Sequence, residues 1–270
     1  MTTDFASRGR SFDAWASEYD QFRPGYPDEL FDTIRRRLGL SANPHVADLG
    51  AGTGRASLAM AALGWRVTAV EPGKPMLDQL RTNAANDGLL LSTVQSTAEA
   101  TGLDPASVDL ATVGQAFHWF DATAALAEMA RIVRPGGGIA LFWNVRDAER
   151  SPFVADYHHL LGEHFGEADT GQYLQAGRES GRDRTRSAIE AATGFEAPEL
   201  VTLAQAVQTT ASRFIGMAFT ASYIRSLPPA EQDRFRIELG GILGRHGHTD
   251  ETPFDLPYRI DLWIARRHGS

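Results

Sequence analysis

The stretch from Pro44 to Glu71, PHVADLGAGTGRASLAMAALGWRVTAVE, constrains the chain more than any other. Val46-Ala47-Asp48-Leu49 is a short buried-strand run halted by Gly50. Gly50, Gly52 and Gly54 then alternate through a turn where side chains would hold a ligand off the backbone. Ala56, Leu58, Ala59, Ala61, Ala62 and Leu63 are good helix formers, Gly64 supplies a C-cap, and Arg66 to Val70 is a second strand that closes on Glu71. The segment reads as one βαβ unit with a nucleoside-type site at its carboxyl edge. A carboxylate at the end of the second strand accepts hydrogen bonds from both hydroxyls of a ribose, while the glycine turn admits the rest of the ligand against backbone N–H groups. The dinucleotide fingerprint requires a third glycine three residues after the second, and Arg55 stands there, so NAD is the weaker reading of the ligand.

The flanking sequence extends this unit into an alternating α/β chain. Phe12, Trp15, Ala16 and Tyr19 recur at helical spacing behind Ser11, and Arg23-Pro24-Gly25-Tyr26-Pro27 forces an extended turn. Residues 28–38 predict an amphipathic helix with Leu30, Phe31, Ile34 and Leu38 inward and Arg35, Arg36 and Arg37 on the solvated face. Beyond Glu71, Pro72-Gly73-Lys74-Pro75 makes the crossing and Met76, Leu77 and Leu80 begin another helix. Further strands are predicted at 90–95, 107–113 and 139–144, the last after a helix at 124–133 and the breaker Arg134-Pro135-Gly136-Gly137-Gly138. Residues 151–175 turn helical, and GRESGRDRTRS reads as a mobile surface loop. A strand at 197–208, helices near 214–224 and 231–245, and an alternating strand at 255–265 complete the chain.

The 107–113 strand runs directly into Gly114-Gln115-Ala116-Phe117-His118-Trp119-Phe120-Asp121. Ligands of parallel sheets bind outside the strand carboxyl ends, so this loop faces the ligand. Phe117 and Phe120 are assigned to ordinary core. His118 and Trp119 are the catalytic and substrate-binding candidates.

Asp48-Leu49-Gly50-Ala51-Gly52-Thr53-Gly54 with Glu71 resembles the S-adenosyl-L-methionine (SAM) site of the class I methyltransferases. FDAWASEYDQFRPGYP, QAFHWFD, RPGG before a strand, and the final LPYRIDLWIARR extend the likeness to small-molecule enzymes, in particular the trans-aconitate methyltransferase-like subgroup. The resemblance implies SAM as cofactor and an α/β, doubly wound, Rossmann-like sheet of seven strands, mostly parallel with an antiparallel last strand, plus helical cap insertions. It implies one methyltransferase domain over 1–270. That domain has an N-terminal helical lid at about 11–40 and a SAM-binding core at about 44–145, with strands returning at about 197–208 and 256–267. A cap occupies about 146–195 and 209–255. Cofactor contacts are implied for Tyr19 and Arg23 near the methionine end, and for Asp48, Gly50, Ala51, Gly52, Thr53, Gly54, Glu71, Pro72, Met76 and Gln115. Ala98 and Glu99 are implied beside the adenine. On the substrate side it implies His118, Trp119, Trp143, Asn144, Arg146, Tyr223 and Arg225, with Arg146 or Arg225 as a carboxylate ligand.

Composition narrows the partners. A net charge of −8 argues against a surface built to neutralise phosphates, so nucleic acid is excluded as a partner and a small molecule is expected as substrate. With no cysteine there is no disulfide, thiolate catalysis or cysteine-ligated metal, and no metal site is expected. No uninterrupted apolar run reaches membrane length, and a cytoplasmic enzyme is expected; oligomeric state has no signature here. The expected function is methyl transfer from SAM to a small molecule, through a carboxylate or another oxygen. The alternatives are a SAM-binding protein that supports a different reaction, such as a cyclisation, and an NAD-linked oxidoreductase.

Overall fold

Seven strands form one sheet in the order β3-β2-β1-β4-β5-β7-β6. The computed structural model describes residues 24–169 and 179–269. The expected N-terminal helix, with Tyr19 and Arg23, lies outside them. Strands β1 (His45–Leu49), β2 (Arg66–Val70), β3 (Ser92–Val94), β4 (Val108–Gly114) and β5 (Val133–Arg146) pair in parallel. The last strand, β7 (Phe254–Arg266), is antiparallel to both its neighbours, β5 and β6 (Glu199–Thr209). The expected seven-stranded, mostly parallel, doubly wound sheet is therefore present. The chain moves outward from β1 through β2 to β3, then returns to place β4 on the other side of β1. That reversal opens a crevice at the carboxyl ends of β1 and β4.

Alternation along the strands builds a core on each face. Val46, Val67, Leu110, Ala140 and Phe142 pack with α1 (Asp28–Leu38) and α2 (Arg55–Ala62), whereas Ala47, Leu49, Ala111, Val113 and Leu141 pack with α4 (Ala122–Ile132). Helix α1 occupies the expected residues. Its Leu30, Phe31, Ile34 and Leu38 are buried, and it ends at Gly39 in the left-handed region. Helix α2 ends at Ala62, two residues before Gly64, whose N–H meets the Ala61 carbonyl while Trp65 N–H meets that of Met60. Helix α3 (Lys74–Asn86) lies between β2 and β3.

A third apolar cluster covers the C-terminal part of the sheet. It joins α5 (Pro152–Asp169), α7 (Ala211–Ala218), α8 (Ser222–Arg225) and α9 (Pro229–Arg245) through Phe153, Tyr157, Phe214 and Phe235.

Two expectations about local structure change. The Gly/Arg-rich stretch read as a mobile loop is largely helix α6 (Glu179–Ala191). Gly181, Thr185 and Ile189 make a buried stripe at four-residue spacing, and Arg182 donates two hydrogen bonds to the buried Asp261 carboxylate on β7. The Arg134–Gly138 breaker is taken into β5 as an irregularity: Val108 pairs with Val133, but Leu110 pairs with Gly138. The glycines permit this because a Cβ on Gly137 would meet the Asp109 carbonyl at 2.4 Å, and one on Gly138 would meet Leu38 Cδ2 at 2.6 Å.

Candidate active site

The crevice holds a cavity of about 160 Å³ whose walls come from the glycine turn, the end of β2, the exits of β4 and β5, and the Pro24–Tyr26 segment. The three glycines of the turn have positive φ and different duties. A Cβ on Gly50 would meet Ala116 Cβ at 2.7 Å, so this glycine lets the β1 and β4 loops touch. One on Gly54 would meet Leu80 Cγ at 2.7 Å, so Gly54 seats the turn on α3 and is not among the cavity-lining residues. Among the described residues nothing lies within 4 Å of a Cβ placed on Gly52, which faces the cavity. Gly52 is the point where a bound molecule can approach bare backbone.

Glu71 braces this turn from β2. Its Oε2 accepts from Gly52 N and its Oε1 from Gly73 N, both at 2.9 Å. A carboxylate accepts more than two hydrogen bonds, so bracing the turn does not by itself bar Glu71 from the paired hydroxyls of a ribose. Cradle and carboxylate thus fit a nucleoside cofactor.

Asp48 also lines the cavity, but its carboxylate is committed within the protein. Ser57 Oγ donates to Oδ2 at 2.5 Å and Thr112 Oγ1 to Oδ1 at 2.8 Å. Burial pushes its pKa up to about 6 against the opposing effect of these two hydroxyls. The third charged lining residue is Arg55, at the start of α2.

At the exit of β4, Gln115 holds a left-handed backbone, φ 59°, that a non-glycine residue adopts at some cost. Two hydrogen bonds hold it: Gln115 N to the Phe142 carbonyl at 2.9 Å and Nε2 to the Asn144 carbonyl at 3.0 Å. The reversal launches a 3₁₀ turn, Phe117–Trp119. Trp119 and Phe120 reach the cavity, whereas Phe117 is buried with its ring edge-on to Trp143.

The structure therefore gathers Asp48, Gly50, Ala51, Gly52, Thr53, Glu71, Pro72, Met76, Gln115, Trp119 and Asn144 around one cavity. The other candidates sit elsewhere. Ala98 is in the core beneath α4, and Glu99 accepts from Asp121 N at the start of α4. His118 rests its ring 4.8 Å from that of Trp119 and is not among the lining residues. Trp143 is core, and the Arg146 guanidinium lies over the Tyr157 ring at 5.2 Å. Tyr223 packs edge-on to Phe165, and Arg225 Nε donates to the Phe219 carbonyl, both within the C-terminal helical cluster.

Residues not singled out from the sequence also line the cavity: Pro24, Tyr26, Arg55, Ala56, Gly114, Ala116 and Phe120. Gly114 carries a legible signal, a glycine closing a buried strand. A Cβ there would meet Phe142 Cε2 at 2.8 Å and Tyr26 Oη at 2.9 Å. Among the described residues no group of three or more His, Asp or Glu is placed to hold a metal ion, and no helix is long and apolar enough to cross a membrane.

Residues 47–141, from β1 through most of β5, match the methyltransferase domain family. An uncharacterized methyltransferase of Mycobacterium tuberculosis is 39% identical over 162 residues, which are 60% of this chain and 63% of that protein. The alignment thus leaves more than a third of the mycobacterial protein unmatched. An uncharacterized methyltransferase of Schizosaccharomyces pombe is 28% identical over 257 residues, 92% of this chain and 94% of the other. Among solved structures, a putative type II methyltransferase from Anaeromyxobacter dehalogenans superposes with a TM-score of 0.69 at 26% identity, covering 92% of this chain and all of that one. The matched segment contains both the glycine turn and Glu71, and the sheet continues beyond it through β7 to β6.

Proposed function

We propose that this protein is a SAM-dependent methyltransferase acting on a small molecule through a carboxylate or another heteroatom. The observation that carries the reading is the pairing of Glu71 with Gly52: the carboxylate that fixes the glycine turn lines the same cavity as the side of Gly52 where no described atom would meet a Cβ. When bound, SAM supplies an activated methyl group, whose bond to sulfur breaks as the lone pair of the acceptor takes the methyl carbon. The chain's own contribution is to hold the two reactants in line and keep water out. Glu71 binds the ribose, the turn around Gly52 admits the backbone-facing part of the cofactor, and Met76 and Pro72 cover its adenosine side. Trp119, Phe120 and Tyr26 wall the acceptor end. Asp48 holds the turn through Ser57 and Thr112. Tyr19 and Arg23 act at the methionine end, and Arg146 serves as ligand for a carboxylate that the acceptor carries. So does the C-terminal helical cluster as the cap that selects the acceptor. His118 acts by positioning Trp119.

The test is to incubate the protein with deuteriomethyl-labelled SAM and a small-molecule library and to follow the label by mass spectrometry. A labelled product supports the reading. Binding of S-adenosylhomocysteine without label in any product refutes methyl transfer, and preferential binding of NAD refutes the cofactor.

A further inference from the structure

Asn144 on β5 and Gln205 on β6 are separated by β7, and both donate to one oxygen. Asn144 Nδ2 meets the Gly25 carbonyl at 3.2 Å and Gln205 Nε2 meets it at 3.4 Å. A carbonyl only accepts, so the orientation of each amide is fixed and each amide oxygen faces away from Gly25. Those oxygens, Asn144 Oδ1 and Gln205 Oε1, are buried and have no hydrogen-bond partner among the described residues. Buried polar atoms in folded proteins are nearly always paired, so an exception beside a cavity calls for a reason. Asn144 lines the cavity at its β5 wall, three strands across the sheet from β2, whose end carries Glu71. Its main chain is held as well, since the Asn144 carbonyl accepts from Gln115 Nε2. An acceptor fixed in this way is preorganised for a donor on whatever occupies that end.

We infer that Asn144, which shares the Gly25 carbonyl with Gln205, accepts a hydrogen bond from the methyl acceptor, so that the substrate presents an O–H or N–H at or next to its reacting atom. The substrate class is then an alcohol, a phenol or an amine, and not a bare carboxylate. An ionised carboxylate offers only lone pairs and would set oxygen against oxygen in a buried place. An amide oxygen is too weak a base to keep the proton. It orients the donor, so that the acceptor lone pair forms the new bond to the methyl carbon, the carbon–sulfur electron pair returns to sulfur, and the proton leaves to water. This assignment rests on the methyltransferase reading above.

The type of bond formed tests it, whichever molecule the protein methylates. The protein is incubated with deuteriomethyl-labelled SAM and a small-molecule cell extract, and each labelled product is treated with alkali. Methyl esters release deuteriomethanol, whereas ethers and methylamines keep the label. The expected result is an alkali-stable product. For that product, Asn144→Leu should raise the acceptor KM by roughly ten-fold or more, with S-adenosylhomocysteine affinity unchanged within about two-fold. Gln205→Leu should move the same constant in the same direction, and it serves if Asn144→Leu does not fold. Label released as deuteriomethanol, or an acceptor KM unmoved in both variants, overturns the assignment while leaving methyl transfer standing. S-adenosylhomocysteine binding with no labelled product overturns the methyltransferase reading itself, and this assignment with it.

Discussion

Glu71 has two tasks, and its variants separate them. Glu71→Ala removes the proposed ribose contacts and should weaken S-adenosylhomocysteine binding by about 2–4 kcal/mol. It also frees Gly52 N and Gly73 N, so calorimetric stability should fall by about 1–3 kcal/mol. Unchanged affinity in a folded Glu71→Ala would remove the residue from the site. Gly52→Val should abolish binding for a different reason, because its side chain fills the cavity and φ 56° is strained for a β-branched residue. Retained affinity there would place the cofactor elsewhere. For His118, which packs on Trp119, His118→Ala should lower turnover without the recovery at high pH expected from loss of a general base. A pH–rate series for wild type and variant distinguishes the two. The glycine–acid pattern is legible residue by residue because it is local: strand, turn and strand end fall within Pro44–Glu71. The separate duties of Gly50 and Gly54 are not, since each depends on a partner, Ala116 or Leu80, brought in by another element.

The elements show where sequence reading is strong and where it stops. Helix α1 is legible at its full extent from its apolar period, and the strands fall where they are expected apart from β5, which begins six residues early at Val133. Helix α6 escapes a reading of the sequence because its buried stripe holds a single large apolar residue, Ile189, beside Gly181 and Thr185, and its arginine finds a partner 79 positions away. That partner, Asp261, is fully buried in β7 and accepts from both Arg182 and Arg259. Asp261→Ala would leave two guanidinium groups facing each other in the sheet–helix layer. It should destabilise the protein by about 3–5 kcal/mol in urea unfolding, whereas a loss below about 1 kcal/mol would mean that the guanidinium groups reach water. The RPGGG stretch does interrupt regular structure, but β5 carries it, since Gly137 and Gly138 let neighbouring chains come too close for any Cβ.

On the scale of the whole molecule, stability and cofactor binding share buried charge. Asp48, raised to about 6 by burial, stabilises the fold most when protonated. Its contribution is fully present below its ordinary value of 3.8 and is lost as pH rises through about 6. A rise from 3.8 to about 6 corresponds to about 3 kcal/mol. Glu128 behaves oppositely: the Arg131 guanidinium, helped by Thr101, holds it at about 2, so its contribution is present above 4.5 and fades only as pH falls toward 2. His45 and His248, both lowered chiefly by burial, lose their contributions as pH falls below 6.5, opposing Asp48. The difference in unfolding free energy between wild type and Asp48→Asn isolates the Asp48 contribution. It should change by about 3 kcal/mol between about pH 3.5 and 7, and a flat difference would show that Asp48 titrates normally. Sheet order, crevice and glycine turn converge on one cavity at the switch from β1 to β4. If this cavity holds SAM with its ribose on Glu71, isothermal calorimetry with S-adenosylhomocysteine and with NAD should show wild type binding S-adenosylhomocysteine and not NAD, and Glu71→Ala losing most of that affinity. NAD binding by wild type, or equal S-adenosylhomocysteine affinity in the two proteins, would mean that the ribose of SAM does not rest on Glu71.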